Sequence, residues 1–394
     1  MKPSVLPLFF DFLPLFAIFV TKSVRKQAPV SAKLEIKLKM RVLFGICSWG
    51  LGHAVRDLPL IKKILQAGHS VTVAGKGRSL QLVKDELKDK CSYYEIPDYS
   101  PVYSEKNFSV VKFVARLPAY LNEIAKEHER IKQLVNSNGY DRIISDSRFG
   151  VYHPEIPSFF IFHQLRFIPP VRIKVFERAT EGFNYLFRKR FCKFLVPDWE
   201  ENSLSGDLSH NLHYFKKGMI EYLGPLCDLK KRNLPEDIDY FISISGPEPQ
   251  RTILERKIMD QIFALRGKVI VALGKPEERI EKTYHNIKVF SYLNRERQEE
   301  MLNRSRLVIT RPGYTTVMEL AALGKKALLI PTPGQTEQVY LASYHSKKGN
   351  FYSVSQEKLN LARDVEEAKK YPGIRVRFIP GKAEQKFMEI VFGK

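Results

Sequence analysis

Cysteine is scarce in this chain of 394 residues, which contains only Cys47, Cys91, Cys192 and Cys227. The four are far apart, with no Cys-x-x-Cys pair and no histidine at zinc-finger spacing. This pattern excludes a disulfide-stapled mini-protein and provides no ligand set for a structural metal. We therefore expect a reducing compartment, and the sequence predicts no metal site.

Acidic residues are also in short supply, since 43 Asp and Glu stand against 64 Lys and Arg, for a formal net charge of +21. Such a field attracts anions, which include nucleotides, nucleic acids and acidic lipid headgroups, and charge alone does not distinguish them. The remaining composition, 44% hydrophobic and 27% charged, is that of an ordinary globular protein. The length predicts two domains of about 100 to 200 residues each.

A long uninterrupted hydrophobic run is missing as well. Residues 5–20 are nearly all apolar but contain Asp11 and two prolines, and the run is shorter than the roughly 20 residues of a membrane-spanning helix. No small-residue cleavage site of a secretory signal follows it. We expect residues 1–39 to be either an anchor, whose following cations would keep the protein at the cytoplasmic face of a membrane, or an upstream extension before Met40. In either case the predicted location is cytoplasmic.

The rest of the chain alternates between short apolar runs, typical of buried strands, and stretches with helical spacing. The predicted strands are 42–47, 69–74, 141–145 and 158–162 in the first half, and 240–245, 268–273, 288–290, 307–310 and 327–330 in the second. A polar stretch at 200–210 and a hinge-like segment at 222–226 separate the halves. The sequence therefore predicts an α/β protein with two Rossmann-like, doubly wound parallel-sheet domains, 40–225 and 226–394, that face each other across a cleft.

A glycine-rich turn follows the first predicted strand. Gly50 and Gly52 lie where free backbone N–H groups and a helix N-terminus favour an anion. A dinucleotide site is disfavoured, because Val55 replaces the third glycine of that fingerprint and the second strand does not end in an acidic residue.

Two residues are candidates for a general base. His53 lies in the glycine-rich turn and titrates near neutrality, so it is suited to remove a proton from a hydroxyl group. Asp146, at the end of a predicted strand, is the second choice. The alternatives are a helix-capping or packed imidazole for His53 and a turn cap for Asp146.

The most informative segment is 307–324, where a buried strand ends at Arg311 and a helix follows Pro312 and Gly313. Thr315 and Thr316 open this helix, whose first N–H groups have no intrahelical partner and attract a diphosphate. Arg311 is expected to add positive charge nearby.

Polar residues follow on the same edge of the predicted sheet. Glu319 lies about one turn inside the helix, where its carboxylate can accept hydrogen bonds from ribose hydroxyls. Gln335, Glu337 and Gln338 follow the next strand and are expected to converge on the group attached to the phosphates. The alternative is a solvated helix face and a polar loop.

This stretch resembles the donor half of the GT-B glycosyltransferases, specifically the MurG-like family 28 group. That family carries Arg-x-Gly-x-x-Thr-x-x-Glu-x-x-Ala-x-Gly followed by a proline-containing loop that ends in glutamines, and residues 311–324 fit the pattern. The likeness covers residues 289–342 and, more weakly, 40–65, where His53 matches the family's glycine-loop histidine. It implies the GT-B fold, with an acceptor-side domain followed by a donor domain.

The resemblance also implies roles for individual residues. Leu293 would present its backbone to a uracil, Thr315 and Thr316 would contact phosphate, Glu319 would bind ribose, and Glu337 and Gln338 would contact the sugar. The family's second glycine-rich loop is replaced here by residues 243–249, so only Ser245 and Gly246 carry over. His163-Gln164 keeps little of the acceptor-side His-Glu-Gln-Asn motif, so the acceptor is not implied.

The segment 166–194 combines cations with aromatic side chains. An apolar patch ringed by positive charge suits an anionic membrane surface that carries a lipid-linked acceptor. An aromatic core with solvated charges is the second interpretation, and a single-stranded nucleic-acid platform is the least favoured.

Together these observations predict a glycosyltransferase that moves a hexosyl or N-acetylhexosaminyl unit from a UDP-sugar to an acceptor hydroxyl. The resemblance implies inversion at the anomeric carbon. We expect neither a metal nor a cofactor, because helix N–H groups can stabilise the leaving diphosphate. The alternatives are a UDP-sugar epimerase on the same fold and a non-catalytic protein that binds nucleotide sugars or membrane surfaces.

Overall fold

The computed structural model describes residues 39–100 and 109–393. The predicted leader, residues 1–39, lies outside this range apart from Lys39. Within the described part of the chain, no helix is both long and apolar enough to cross a bilayer.

The first sheet has seven parallel strands in the order β3-β2-β1-β4-β5-β6-β7. Its strands are β1 (Arg41–Gly45), β2 (Ser70–Gly75), β3 (Ser92–Glu95), β4 (Arg142–Asp146), β5 (Ser158–Ile161), β6 (Lys193–Val196) and β7 (Ile220–Tyr222). Its helices are α1 (Leu51–Gln66), α2 (Gly77–Leu87), α3 (Val110–Asn138) and α4 (Lys174–Leu186). The strand order reverses between β1 and β4, which is where doubly wound sheets bind ligands.

The second sheet repeats the plan in the order β10-β11-β9-β8-β12-β13-β14. Its strands are β8 (Ile238–Ser243), β9 (Val269–Ala272), β10 (Glu281–Tyr284), β11 (Ile287–Phe290), β12 (Ser305–Thr310), β13 (Lys326–Leu329) and β14 (Tyr352–Ser353). The helices that follow β8 are α5 (Gln250–Met259), α6 (Arg295–Arg304), α7 (Tyr314–Leu323), α8 (Thr336–Lys347), α9 (Leu361–Lys369) and α10 (Lys382–Phe392). Only the β10–β11 pair is antiparallel among the described pairings. The predicted fold of two doubly wound α/β domains is confirmed.

The central strands are buried on both faces, which explains their continuous apolar runs. Helix α1 shows how a covering helix is specified. Its buried residues Leu58, Ile61 and Ile64 recur at helical spacing and face the first sheet, and the chain then turns at Gly68.

The last helix, α10, packs on the first domain. Ala383, Phe387 and Val391 lie in the core of the N-terminal sheet, and Arg142 Nε donates to the Val391 carbonyl oxygen at 3.0 Å. The predicted range 226–394 therefore includes one helix that belongs to the other domain's core. The amphipathic pattern of α10 shows that one face is buried, but it cannot show which core that face covers.

The aromatic residues of 166–194 are largely interior. Phe176, Phe187, Phe191 and Phe194 are each 5% exposed or less, and the last three pack together in one cluster with neighbouring rings. These four follow the core interpretation rather than the membrane one.

Direct contacts hold the two domains face to face. The Tyr314 hydroxyl donates to the Pro197 carbonyl at 2.7 Å, and the Thr315 hydroxyl donates to the Gly52 carbonyl at 3.0 Å. These contacts set the start of α7 against the start of α1, so the carboxyl ends of both sheets border one cleft.

Candidate active site

The cleft encloses about 2640 Å³ between the domains. Its walls are the segments that follow β1, β4 and β5 on one side and β8, β12 and β13 on the other. Sites for one small molecule usually occupy about 300 to 1,000 Å³. The cleft therefore has room for two substrates side by side.

The two predicted base candidates lie together in the N-terminal wall. His53 is in the first turn of α1, Asp146 ends β4, and His53 Nδ1 is 2.7 Å from Asp146 Oδ2. Arg56 Nη2 also lies 2.9 Å from this nitrogen, but it donates to Asp146 Oδ1. The shorter contact with Asp146 Oδ2 needs a proton between nitrogen and carboxylate, so Nδ1 of the neutral ring carries it and Nε2 keeps its lone pair. About 18% of the His53 side chain remains exposed, whereas Asp146 is fully buried. The two candidates are thus partners: one is suited to act as the base and the other to orient it.

Each member of the His53–Asp146 pair stabilises the charged form of the other. Burial alone would lower the pKa of His53, but the Asp146 carboxylate outweighs it and raises the pKa to about 10. Burial alone would raise the pKa of Asp146, but Arg56 and then His53 hold that pKa well below its ordinary value. The imidazole is therefore a strong base that is largely protonated at neutral pH.

Sequence reasoning missed Arg56. This residue is 2% exposed, and its guanidinium donates to both carboxylate oxygens of Asp146 and, at 2.9 Å, to His163 Nδ1. A signal was present, because Arg56 lies three residues after His53 in a stretch of helix whose buried neighbours include Ala54, Leu58 and Leu60. An arginine in such a position must have a buried partner.

The C-terminal wall begins at the N-terminus of α7. Gly313 is the capping residue, and no side chain caps the first turn, so the N–H groups of Tyr314 to Thr316 lie at the helix end that borders the cleft. The Thr315 hydroxyl is occupied by Gly52, as described above, because the two domains meet there. Thr316 is therefore the member of the predicted pair whose hydroxyl has no hydrogen-bond partner among the described residues. Both Thr315 and Thr316 contribute their N–H groups.

The close approach of α7 to α1 favours a glycine at position 52. A Cβ at this position would come within 2.9 Å of Thr315 Oγ1, closer than side chains normally pack. Gly50 precedes it as the capping residue of α1 with φ +137°, a conformation that L residues rarely adopt. The glycine-rich turn therefore brings α1 and α7 together, as well as lining the cleft.

Arg311 does not face the cleft. It is 1% exposed, and its guanidinium donates to the carbonyl oxygens of Ser245, Gln250, Ile330 and Pro331 and to the Gln356 side chain. Arg311 is predicted to bind the donor by adding positive charge near the leaving group, but its guanidinium is occupied by these loop groups instead. The side chain points behind the strand ends, where loop carbonyl oxygens accept hydrogen bonds from it. Arg311 therefore positions two cleft loops.

Glu319 and Leu293 line the cleft as predicted. Glu319 Oε1 accepts from Arg295 Nη1 at 2.5 Å, and Arg295 also pairs with Asp228. The carboxylate is thus held in one orientation, with 7% of the side chain exposed.

Ser245 and Gly246 also line the cleft, in the loop that follows β8. The next residues are Pro247 and Pro249, with Glu248 between them. Proline has no N–H to offer a phosphate, and Glu248 would repel one. This loop is therefore poorly suited to anion binding.

The three predicted residues near α8 differ in their surroundings. Glu337 Oε2 lies 3.4 Å from His163 Nε2, Gln338 Oε1 accepts from the Thr332 N–H at 2.9 Å, and Gln335 Oε1 has no hydrogen-bond partner among the described residues. All three line the cleft. His163, from the acceptor-side sequence, is thus in contact with the donor wall.

No group of three or more His, Cys, Asp and Glu side chains suited to a metal ion occurs in the described ranges. Independence of metal stays a prediction.

The comparisons with known proteins agree with this architecture. Residues 248–371 match the glycosyltransferase family 28 C-terminal domain, and residues 40–154 match glycosyl transferase family 1. An uncharacterized glycosyltransferase from Methanosarcina mazei is 26% identical over 330 residues, which cover 79% of this chain and 85% of the relative.

Solved structures share the fold at low identity. The glycosyltransferase of kitacinnamycin has a TM-score of 0.58 at 13% identity and covers 84% of this chain and 90% of its own. MurG of Acinetobacter baumannii has 0.52 at 12%, covering 90% and 100%. The spinosyn rhamnosyltransferase SpnG, complexed with thymidine diphosphate, has 0.57 at 13%, covering 90% and 96%. Fold, sequence matches and relatives therefore agree: the chain shares the two-domain GT-B fold of these glycosyltransferases, and its second domain matches the family 28 C-terminal domain.

Proposed function

We propose that the protein transfers a hexosyl or N-acetylhexosaminyl unit from a UDP-sugar to a hydroxyl group of an acceptor, with inversion at the anomeric carbon. The observation that carries the proposal is the position of the His53–Asp146 pair in one wall of the cleft, with the N-terminus of α7 in the other. A base and an anion-stabilising helix end that border the same cleft are the two groups that such a transfer requires.

In the proposed reaction, His53 Nε2 takes the proton of the acceptor hydroxyl while its oxygen forms a bond to the anomeric carbon. The bond from that carbon to the diphosphate breaks on the opposite face. The N–H groups at the start of α7 and the Thr316 hydroxyl stabilise the charge of the departing diphosphate, so no metal ion is needed. Asp146 orients His53 and stabilises the imidazolium that forms.

The remaining predicted residues serve the donor. Glu319 accepts hydrogen bonds from ribose, and the backbone of Leu293 faces the uracil. Three residues contact the transferred sugar: Gln335, Glu337 and Gln338. Their common location in one wall of the cleft supports this assignment.

Calorimetry on the full chain tests the donor site. UDP, dTDP, ADP and GDP are titrated into wild type, Glu319→Ala and the exposed control Glu366→Ala. We expect preferential binding of UDP that is lost in Glu319→Ala and kept in Glu366→Ala. Preference for dTDP would mean that the donor carries thymine rather than uracil. Failure to bind any nucleotide would contradict the proposal.

A second assay tests the reaction class. UDP-sugars are incubated with the protein with and without candidate acceptors, and products are separated by mass and by sugar configuration. The transferase releases UDP in proportion to the glycosylated acceptor. Conversion of the sugar without any acceptor would indicate an epimerase, and binding without turnover would indicate a non-catalytic protein.

For the acceptor, we propose an amphipathic, lipid-linked molecule presented at the cytoplasmic face of an anionic membrane. The first turns of α3 and α4 meet through Phe113 and Phe176, whose ring centroids are 5.3 Å apart and which line the cleft. Beside this contact, Val111 and Val175 are 72% and 61% exposed. Their chain neighbours Lys112 and Lys174 are exposed too, so apolar and cationic groups share this edge of the cleft.

Vesicle sedimentation tests the membrane proposal. We expect the wild-type chain to bind vesicles that contain anionic lipid, and the double variant Val111→Ser, Val175→Ser to bind them more weakly. Phe263→Ser, at a 68% exposed position of the other domain, is the matched control. Binding that is indifferent to lipid charge, or equal loss in both variants, would contradict the membrane proposal.

A further inference from the structure

Arg56 lies at the centre of a set of polar contacts that crosses the cleft. Its Nε is 3.2 Å from Asp146 Oδ2, its Nη1 is 2.9 Å from His163 Nδ1, and its Nη2 contacts Asp146 Oδ1. The side chain is almost fully buried, at 1% exposure. A guanidinium in this position has fixed geometry, because its planar fork bonds two different acceptors at once.

The direction of the hydrogen bonds assigns the protons. Arginine only donates, so His163 Nδ1 accepts and the proton of the neutral ring is on Nε2, the atom 3.4 Å from Glu337. Burial lowers the pKa of His163, which favours this neutral ring. The order of contacts is therefore Asp146, Arg56, His163 and Glu337.

The far end of this series belongs to the donor domain. Glu337 is in the first turn of α8, and His163 also stacks flat on Tyr314, the first residue of α7, with ring centroids 4.3 Å apart and an angle of 4° between the planes. His163 therefore contacts two donor-side helices, α7 and α8, whose N-termini border the cleft.

We propose that Arg56 is a positioning residue for the transfer: it fixes Asp146, and thereby His53, and through His163 it aligns this base with the donor wall. The inference rests on the proposed function. Arg56 lines the cleft, but its guanidinium contacts Asp146 and His163, with Nη2 also 2.9 Å from His53 Nδ1, so it acts through these side chains. The base is then in register with the sugar only when Glu337 and Tyr314 are docked on His163.

Other charged groups face Arg56 and do not replace it. Asp57 is fully buried next to Asp146, and burial followed by the Asp146 charge raises its pKa, which disfavours its charged form. Cys47 also faces His53 and Arg56. Arg56 thus remains the cation that neutralises Asp146 together with His53.

The first experiment needs no substrate. Ring-nitrogen NMR of the full chain, labelled with ¹⁵N-histidine, is recorded against pH for wild type, Arg56→Gln, Arg56→Lys and Arg148→Gln. The control Arg148 is likewise buried and paired with a carboxylate, Glu127, in the same domain. Wild-type His163 should be neutral with its proton on Nε2. In Arg56→Gln its pKa should rise, because a nearby positive charge is removed, and Arg148→Gln should leave it unchanged.

The Arg56→Lys variant tests the proposal even if Arg56→Gln does not fold. It keeps the positive charge beside Asp146 but cannot bridge Asp146 and His163 in a fixed plane. We expect a folded protein in which the Nε2–H preference of His163 is reduced. Its kcat should fall about tenfold or more, with UDP affinity within about twofold of wild type.

Two results would overturn the inference. One is a wild-type His163 whose proton is on Nδ1, and the other is wild-type kcat in Arg56→Lys. If wild type shows no transfer at all, the proposed function fails, whereas the NMR result still decides whether Arg56 holds His163.

Discussion

The loops that follow the first strand of each domain occupy the same topological position but supply different chemistry. After β1, a glycine with φ +137° leads to Gly52 and His53, and after β8, Gly246 with φ +119° leads to two prolines. The first loop provides His53, the proposed base, and a close contact with the other domain. The second has few N–H groups, so we assign the proposed anion binding to the start of α7. Equivalent places in a repeated fold therefore do not predict equivalent roles, because the role depends on which backbone and side-chain groups the local sequence presents.

The largest effect should follow from removing the base in the first loop. His53→Ala should lower kcat about 10²- to 10⁴-fold, the usual contribution of a general base. UDP affinity should be nearly unchanged, since the donor is held by the other wall. Turnover and calorimetry measure the two quantities, with the exposed His285→Asn as control. Unchanged turnover in His53→Ala would exclude His53 from the chemistry.

Asp146, the partner of His53, should control how kcat/KM depends on pH. Because Asp146 raises the pKa of His53 to about 10, the neutral imidazole and hence kcat/KM should increase with pH up to about that value. In Asp146→Asn, burial and the Arg56 charge both act to lower the pKa of His53, so the rise should move to lower pH with a smaller maximum. A pH–rate profile of both proteins, with the exposed Asp260→Asn as control, tests the sign. A shift to higher pH would be inconsistent with this pairing.

On the donor side, Thr316→Val should weaken UDP binding about tenfold or more. A hydrogen bond to a charged group contributes about 1.5 to 3 kcal/mol. The variant keeps the size of the side chain and the N–H groups of α7. Calorimetry with UDP measures the loss, and equal affinity in wild type and variant would remove the hydroxyl from the phosphate site.

The smallest effect should come from the second loop. Pro247→Ala adds an N–H group at a position that we do not expect to hold phosphate, so UDP affinity should change by less than about twofold. A much larger change in either direction would show that the loop after β8 does bind the diphosphate. The contrast between the two loops would then be weaker than the structure indicates.

The predictions from sequence are most accurate where the pattern of one segment specifies its own secondary structure. The strand, turn and helix of 307–324 were predicted together, because a buried strand, a Pro-Gly turn and a helix start are local patterns. The predictions were poorest for arginines. Arg311 was expected in the cleft and lies behind it, and Arg56 was overlooked although it contacts both base candidates. A guanidinium can reach in several directions, and its partners are distant in sequence.

By itself, the sequence determined the two α/β domains, the glycosyltransferase resemblance and the set of residues from which the cleft is built, because periodicity, turn residues and motif spacing are local properties. Only the tertiary structure decided that His53 and Asp146 are partners, that Thr315 joins the domains, and that α10 returns to the first core. Those outcomes depend on which surfaces meet after folding, and contacts between residues 93 to 263 positions apart leave no periodic trace along the chain.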